Sequence, residues 1–195
     1  VGAAPDTLFV FAAGNDGLDN DTYPTSPTNI QADNVISVAA TIMDVMLAPF
    51  SNYGATMVDV AAPGVGIESS VPGNQYLKVS GTSQAAPYVA QVATAVKSTN
   101  EALTPAQIKT IIMKTVDEKA FLKGKVISGG MVNKDRALRA AELALSIDLD
   151  DAISQSLVDV KSESSILKNL FSLGELVSDS KDFVLPLQSQ FIIKK

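Results

Sequence analysis

The 195-residue sequence has no cysteine and no histidine. Without cysteine there are no disulfides, no thiolate chemistry and no Cys-ligated zinc or iron–sulfur centre. Without histidine the commonest general base and the commonest metal ligand are gone. No Ser-His-Asp triad can be built from this chain alone. Basic residues are outnumbered, 15 against 21, which gives a net charge of −6 and sets aside a nucleic-acid-binding surface. No apolar run reaches the ~18 residues of a membrane span. What remains is 46% hydrophobic residues against 18% charged ones, the balance of a folded domain with a real core. The length suits one domain or one and a fraction. The chain opens at Val1 and enters a strand within ten residues, which reads as a fragment or a processed product.

The apolar stretches have strand length. Leu8–Ala12 is continuous and is stopped by Gly14-Asn15-Asp16-Gly17, the pattern of a strand buried on both faces of a parallel sheet. Val35–Ala40 and Met57–Ala61 read the same way, and a long polar loop (16–34) separates the first two. Ile67–Val71 and Tyr76–Val79 flank Pro72-Gly73-Asn74-Gln75, which predicts a hairpin. Residues 83–98 carry Ala and Val all round, so a deeply buried helix is expected. Thr104-Pro105-Ala106-Gln107 supplies an N-cap, a first-position Pro and a capping-box partner for a helix whose inward face is Ile108, Ile111, Ile112 and Val116. Lys134–Leu145 predicts a further helix with Leu138, Ala141 and Leu145 inward. Strands alternating with helices mean α/β. Composition shifts near residue 147, so residues 1–147 read as the main domain and 148–195 as an extension, helix then strand, for docking or oligomerisation. Within it Ile166, Leu167, Leu170 and Phe171 form a helical stripe, and Phe183–Leu187 and Phe191–Ile193 have strand character.

Two residues stand where chemistry is done in open α/β folds. Ser83 follows Gly81-Thr82 at the start of the apolar helix, where free N–H groups and the helix dipole favour a developing negative charge. Taken alone, a Ser there is most often only an N-cap. Asn15 ends the first strand, where ligands bind in such sheets and where a side-chain amide can donate to an oxyanion. Taken alone, Gly-Asn-Asp-Gly is turn chemistry.

Together the segments say more. Phe11-Ala12-Ala13-Gly14-Asn15-Asp16-Gly17 and Gly81-Thr82-Ser83-Gln84-Ala85-Ala86-Pro87-Tyr88-Val89-Ala90 closely resemble two signature blocks of the subtilisin-like serine proteases. Tyr23-Pro24, Val35–Thr41, Phe50-Ser51-Asn52-Tyr53-Gly54, Val60–Gly64 and Gly129–Asn133 match that family in the same order. The resemblance covers 5–145, the C-terminal half of a catalytic domain only. It implies a three-layer parallel sheet with flanking helices, incomplete on its N-terminal side, with a short extension.

The resemblance also implies roles. Ser83 matches the nucleophile, and Asn15 the oxyanion-hole amide, with the Ser83 N–H as second donor. Ala12, Ala13 and Gly14 match one wall of the primary substrate pocket. Thr22 matches a floor position that is often Gly, which implies a shallower pocket. Tyr23–Pro24 matches a cis peptide of relatives. Tyr88 stands where a non-catalytic His is common, and Gln91 replaces a usual Gly. Relatives frequently bind calcium. Asp16, Asp19 and Asp21 would reach one ion only if their loop folded back, and no carboxylate run has EF-hand spacing. A solvated acidic loop is the plainer reading, so no cofactor is assigned. The family also favours a secreted or periplasmic location.

The family's Asp and His blocks lie N-terminal to the Asn15 block, and this chain has neither. A homo-oligomer therefore cannot rebuild the triad, and the base must come from another polypeptide or be absent. Lys78, five residues before Ser83, is the one alternative in sequence reach. In the family's fold the strand before Asn15 pairs on one side with a strand of the N-terminal half. That edge would be open here, a template for self-association or for a complementing N-terminal subtilase half unless the extension covers it. The readings are half of a serine endopeptidase, inactive alone, with a peptide or protein substrate once complemented; a non-catalytic, oligomeric subtilase-derived scaffold; and an unrelated α/β binding protein with coincidental motifs.

Overall fold

The computed structural model describes residues 1–161. The readings that fall on 166–171, 183–187 and 191–193 lie outside the described residues. Eight strands and four α-helices follow in the order β1 (Phe9–Ala12), β2 (Val35–Ile42), β3 (Met46–Leu47), β4 (Val60–Pro63), β5 (Ile67–Val71), β6 (Gln75–Val79), α1 (Thr82–Thr99), α2 (Pro105–Lys114), β7 (Asp117–Glu118), β8 (Gly130–Met131), α3 (Lys134–Leu143) and α4 (Leu149–Asp159). The main sheet runs β1-β2-β4-β8-β7, with β3 also on β2. Its β1/β2, β2/β4 and β4/β8 pairs are parallel, and β7 and β3 pair antiparallel. This is the mixed α/β fold with a helix-flanked parallel sheet that the sequence implied.

Period-2 alternation divides the core between the two faces of the sheet. Ile36, Val38 and Ala40 of β2 and Val60 and Ala62 of β4 face one cluster, which α1, α2 and α3 cover through Val89, Val92, Val96, Ile111, Ile112 and Ala140. Ala39 and Ala61 face the other way, toward Ala13, Val58, Leu122, Val126 and Met131. That second face is closed by the single 3-10 turn Ala120–Leu122 and its flanking loops, with no α-helix among the described residues.

The expected devices appear at α2, where Thr104 and Gln107 bond reciprocally in a capping box with Pro at the start. Ile108, Ile111, Ile112 and Val116 are buried. The hairpin β5–β6 is also as read, with Gly73 and Asn74 at positive φ in its turn. Three expectations need correction. The first strand is not buried on both faces: every residue of β1 is half-buried, and among the described residues it is the sheet's edge and pairs with β2 alone. Helix α1 is not buried all round. Val89, Val92 and Val96 are buried, but Pro87, Tyr88, Gln91, Thr94 and Lys97 are exposed, since no described element packs on that side. Leu145 lies beyond the end of α3 and is exposed.

Residues 148–160, which composition placed with the extension, form α4 and its C-cap. Ile153 joins the main core. Arg136 of α3 donates to Val160 O and Val116 O and stands 3.0 Å from the Asp117 carboxylate, and Arg139 pairs with Asp159. A second buried charge pair fixes β4 to α2. Asp59 accepts from Ser37 N and Oγ and lies 3.1 Å from Lys109 Nζ.

β1's outer edge positions everything that follows. Phe9 N and Ala13 N donate to β2 (Asn34 O, Val38 O), so strand alternation turns the N–H of Val10 outward. Thr28 Oγ1 donates to Ala12 O. Beside this edge is a groove of about 300 Å³ lined by Leu8, Val10, Ala90, Ala93 and Ile108, with Asp6 and Lys97 among its polar lining.

Candidate active site

The C-terminal end of β1 and the N-terminus of α1 meet at the carboxyl edge of the sheet, and small residues let them meet. Gly64, just past β4, takes the N–H of Gly81 on its carbonyl, and a Cβ on Gly64 would lie 2.7 Å from both Ala40 Cβ and Gly81 O. Gly14 has φ +115, and a Cβ there would lie 2.5 Å from Asn52 Nδ2. Both positions thus require glycine for close approach.

Gly81 is the N-cap of α1 and makes no side-chain cap bond, so Ser83 is not a cap: it is the second helical residue. Thr82 opens the helix, and its N–H and Oγ1 both donate to Asn15 Oδ1, at 2.8 and 3.0 Å. The same Oγ1 accepts from Gly14 N at 3.2 Å. Its oxygen is doubly engaged by Thr82, and the Asn15 amide lies against Gly81, whose Cβ position is 3.5 Å from Nδ2 and 3.6 Å from Oδ1.

Helix starts leave N–H groups without intrahelical acceptors. Here Thr82 N goes to Asn15 and Gln84 N to Gly81 O. The Ser83 N–H, the Ser83 hydroxyl and the Asn15 NH2 have no acceptor or donor partner among the described residues. Ser83 itself is exposed. The structure therefore sets a hydroxyl and two unspent N–H donors at one helix start, where the dipole favours negative charge.

Ala12, Ala13 and Gly14 form the end of β1 and the residues after it, Ala13 buried and its neighbours half-buried. Thr22 is exposed in a turn, with its N–H on Asp19 O. No hydrogen bond among the described residues joins it to the Ala12–Gly14 segment, which is held instead by Asn20, whose Nδ2 donates to Ala13 O. The cis peptide of this loop is Ser26–Pro27 rather than Tyr23–Pro24.

Lys78 is exposed in β6, opposite Glu68 in the hairpin register, and makes no contact with Ser83 among the described residues. The loop carboxylates do not converge on an ion. Asp21 accepts the N–H groups of Thr56 and Met57, Asp19 accepts that of Asp21, and no group of three acidic side chains suited to a metal occurs among the described residues.

Sequence reading named Ser83, Asn15 and Ala12–Gly14 but gave no role to Thr82, Asn52 or Asn20. Thr82 and Asn52 lie inside quoted segments. Asn20 carried no signal beyond its place in a polar loop, because its partners are up to 32 residues away.

Comparison with known proteins identifies the family. The model of the subtilase family matches residues 2–143. Alkaline elastase YaB of Bacillus sp. (strain YaB) is 38% identical over 136 residues, 70% of this chain and 34% of that protein. Subtilisin BL of Lederbergia lenta is 36% identical over 132 residues, 68% of this chain and 46% of that one. Among solved structures, a protease of Pseudoalteromonas arctica PAMC 21717 superposes with a TM-score of 0.59 at 32% identity, over 70% of this chain and 43% of its own. The chain thus spans less than half the length of these relatives. With a family model across most of its length and the helix-flanked parallel sheet beneath it, the chain belongs to the subtilase family.

Proposed function

We propose that this chain is the nucleophile-bearing part of a serine endopeptidase, hydrolytically silent until another polypeptide segment supplies the base. Ser83 Oγ attacks the scissile carbonyl carbon, and its proton passes to a histidine that this chain does not contain. The carbonyl oxygen becomes an oxyanion and takes hydrogen bonds from the Ser83 N–H and Asn15 Nδ2. Collapse expels the amine, which takes the proton back from the histidine. Water then repeats the cycle on the acyl-serine. Ala12, Ala13 and Gly14 wall the pocket for the side chain before the scissile bond, and Thr22 raises its floor. The observation that carries this reading is the pair of hydrogen bonds from Thr82 to Asn15 Oδ1, which ties the Asn15 amide to the start of the helix that bears Ser83.

The partner in this reading docks on β1. A strand laid along the outward N–H groups of that edge, with apolar side chains in the groove of Leu8, Val10 and Ala93, completes the sheet and covers the exposed flank of α1. An N-terminal subtilase half brings such a strand together with the Asp and His. A second copy of this chain would complete only the sheet, which gives the scaffold reading its physical basis.

The test is hydrolysis of a chromogenic peptide by the chain mixed with the N-terminal part of subtilisin BL. The mixture is expected to turn over and either component alone to be silent. Asn15→Ala should lower kcat by about 10²–10³ with little change in KM, a magnitude borrowed from the oxyanion asparagine of subtilisin itself. Silence of a mixture in which the two parts demonstrably bind would favour the scaffold.

A further inference from the structure

Asn52 and Asn20 are each fully buried, yet both are polar. Burying an amide is costly unless its donors and acceptors are used, and these are. Asn52 Oδ1 accepts from Asp16 N at 2.9 Å and Leu18 N at 3.1 Å. Its own N–H donates to Gly14 O at 2.9 Å. Its Nδ2 donates to Asn20 Oδ1 at 3.0 Å. Asn20 Nδ2 in turn donates to Ala13 O at 3.0 Å, and Asn20 O accepts from Asn29 Nδ2 at 2.7 Å.

The targets of these bonds are informative. Gly14 O and Asp16 N lie immediately on either side of Asn15, so Asn52 grips the backbone before and after the residue whose amide oxygen accepts from Thr82. Ala13 O belongs to the segment proposed as the pocket wall. The buried amide pair therefore joins the oxyanion donor and the substrate wall into one hydrogen-bonded unit. Other bonds hold the loop as a whole: Gly17 N to Phe50 O, Tyr53 N to Leu18 O and Asn20 N to Tyr53 O. Asp16 and Leu18 are themselves exposed, so water can satisfy their N–H groups if Asn52 is truncated. The Asn52 side chain thus governs where the loop sits more than whether it folds.

Resting on the serine-endopeptidase reading, we infer that Asn52, linked to Asn20, is a positioning residue for the Asn15 amide and couples its placement to the Ala13 wall. Misplacing such a donor by ~1 Å is enough to cost about 10²-fold in rate.

Two measurements on the full chain test this. The first is NMR of Asn52→Ala without any complement. The Asn15 side-chain NH2 resonances should shift and broaden, and the exchange protection of the Asp16 and Leu18 amides should fall about tenfold or more, with β2 and α1 amides unchanged. Unchanged Asn15 and Asp16 signals would overturn the inference. So would an equal loss of protection across the whole molecule, which would make Asn52 an ordinary structural residue.

The second is kcat of the complemented chain. Asn52→Ala should lower it about 10- to 100-fold, with KM little changed, and the same substitution should have little further effect in an Asn15→Ala background. Additive losses would overturn the inference. If the complemented wild type fails to turn over, the endopeptidase reading fails, while the NMR result still decides whether Asn52 positions Asn15.

Discussion

Gly14 illustrates how the site is specified at the scale of single residues. It lies between Ala13, proposed as pocket wall, and Asn15, at φ +115, with the Asn52 side chain where a Cβ would go. Gly14→Ala should therefore cost about 2–4 kcal/mol, strained backbone and steric overlap together, and should disorder the Asn15 amide. Urea unfolding checks the first effect, and the side-chain NH2 resonances of Asn15 check the second. The sequence announced Gly14 as part of a turn and of a family block. It could not announce Asn52 beneath it, because the steric demand arises only when a segment 38 residues on folds against the loop. The same holds for Ser83. Its position before an apolar run suggested a cap, and only the backbone showed the cap to be Gly81, with Thr82 as the link to Asn15.

At the scale of elements, local chemistry was legible and burial was less so. The capping box of α2 and the Pro-Gly-Asn turn of β5–β6 are written within a few residues, and they formed as read. Helix α1 and strand β1 looked buried because their compositions are apolar on every side. Composition reports what a segment tolerates, whereas burial depends on which neighbours are present, and among the described residues no element covers one flank of each. Helix α4 shows a contact that sequence did not suggest, its link to α3 through Arg139 and Asp159. The hydrogen bond from Gln155, then that from Arg139, holds the Asp159 carboxyl below the ordinary aspartate range. A lowered folded-state pKa stabilises the fold above the unfolded value of about 4 and loses that contribution as pH falls through it. Asp159→Asn should thus be less stable than wild type near neutrality, and the difference should shrink as pH falls below the unfolded value and vanish once it has passed the lowered folded-state value. Paired urea titrations across that range measure it. The pair is exposed, so the effect should be small.

At the scale of the whole molecule, the edge of β1, which pairs with β2 alone among the described residues, is the governing feature. Val10 turns its N–H outward, away from β2, so proline there deletes a donor to an incoming strand while sparing the β1–β2 ladder. Val10→Pro should keep near-native circular dichroism yet lose co-elution with an N-terminal subtilase half. Undiminished co-elution would place the contact elsewhere. Under the proposed function, the β1 edge and the histidine-free sequence call for one partner, which would bring a strand to the sheet and a base to Ser83. The most direct test is mass-spectrometric mapping of a fluorophosphonate adduct. With the histidine-bearing half bound, the adduct should fall on the peptide containing Ser83, and it should be absent from Ser83→Ala and from the chain alone. Absence of label at Ser83 in the assembled pair, or equal labelling of Ser83 without the partner, would contradict the account.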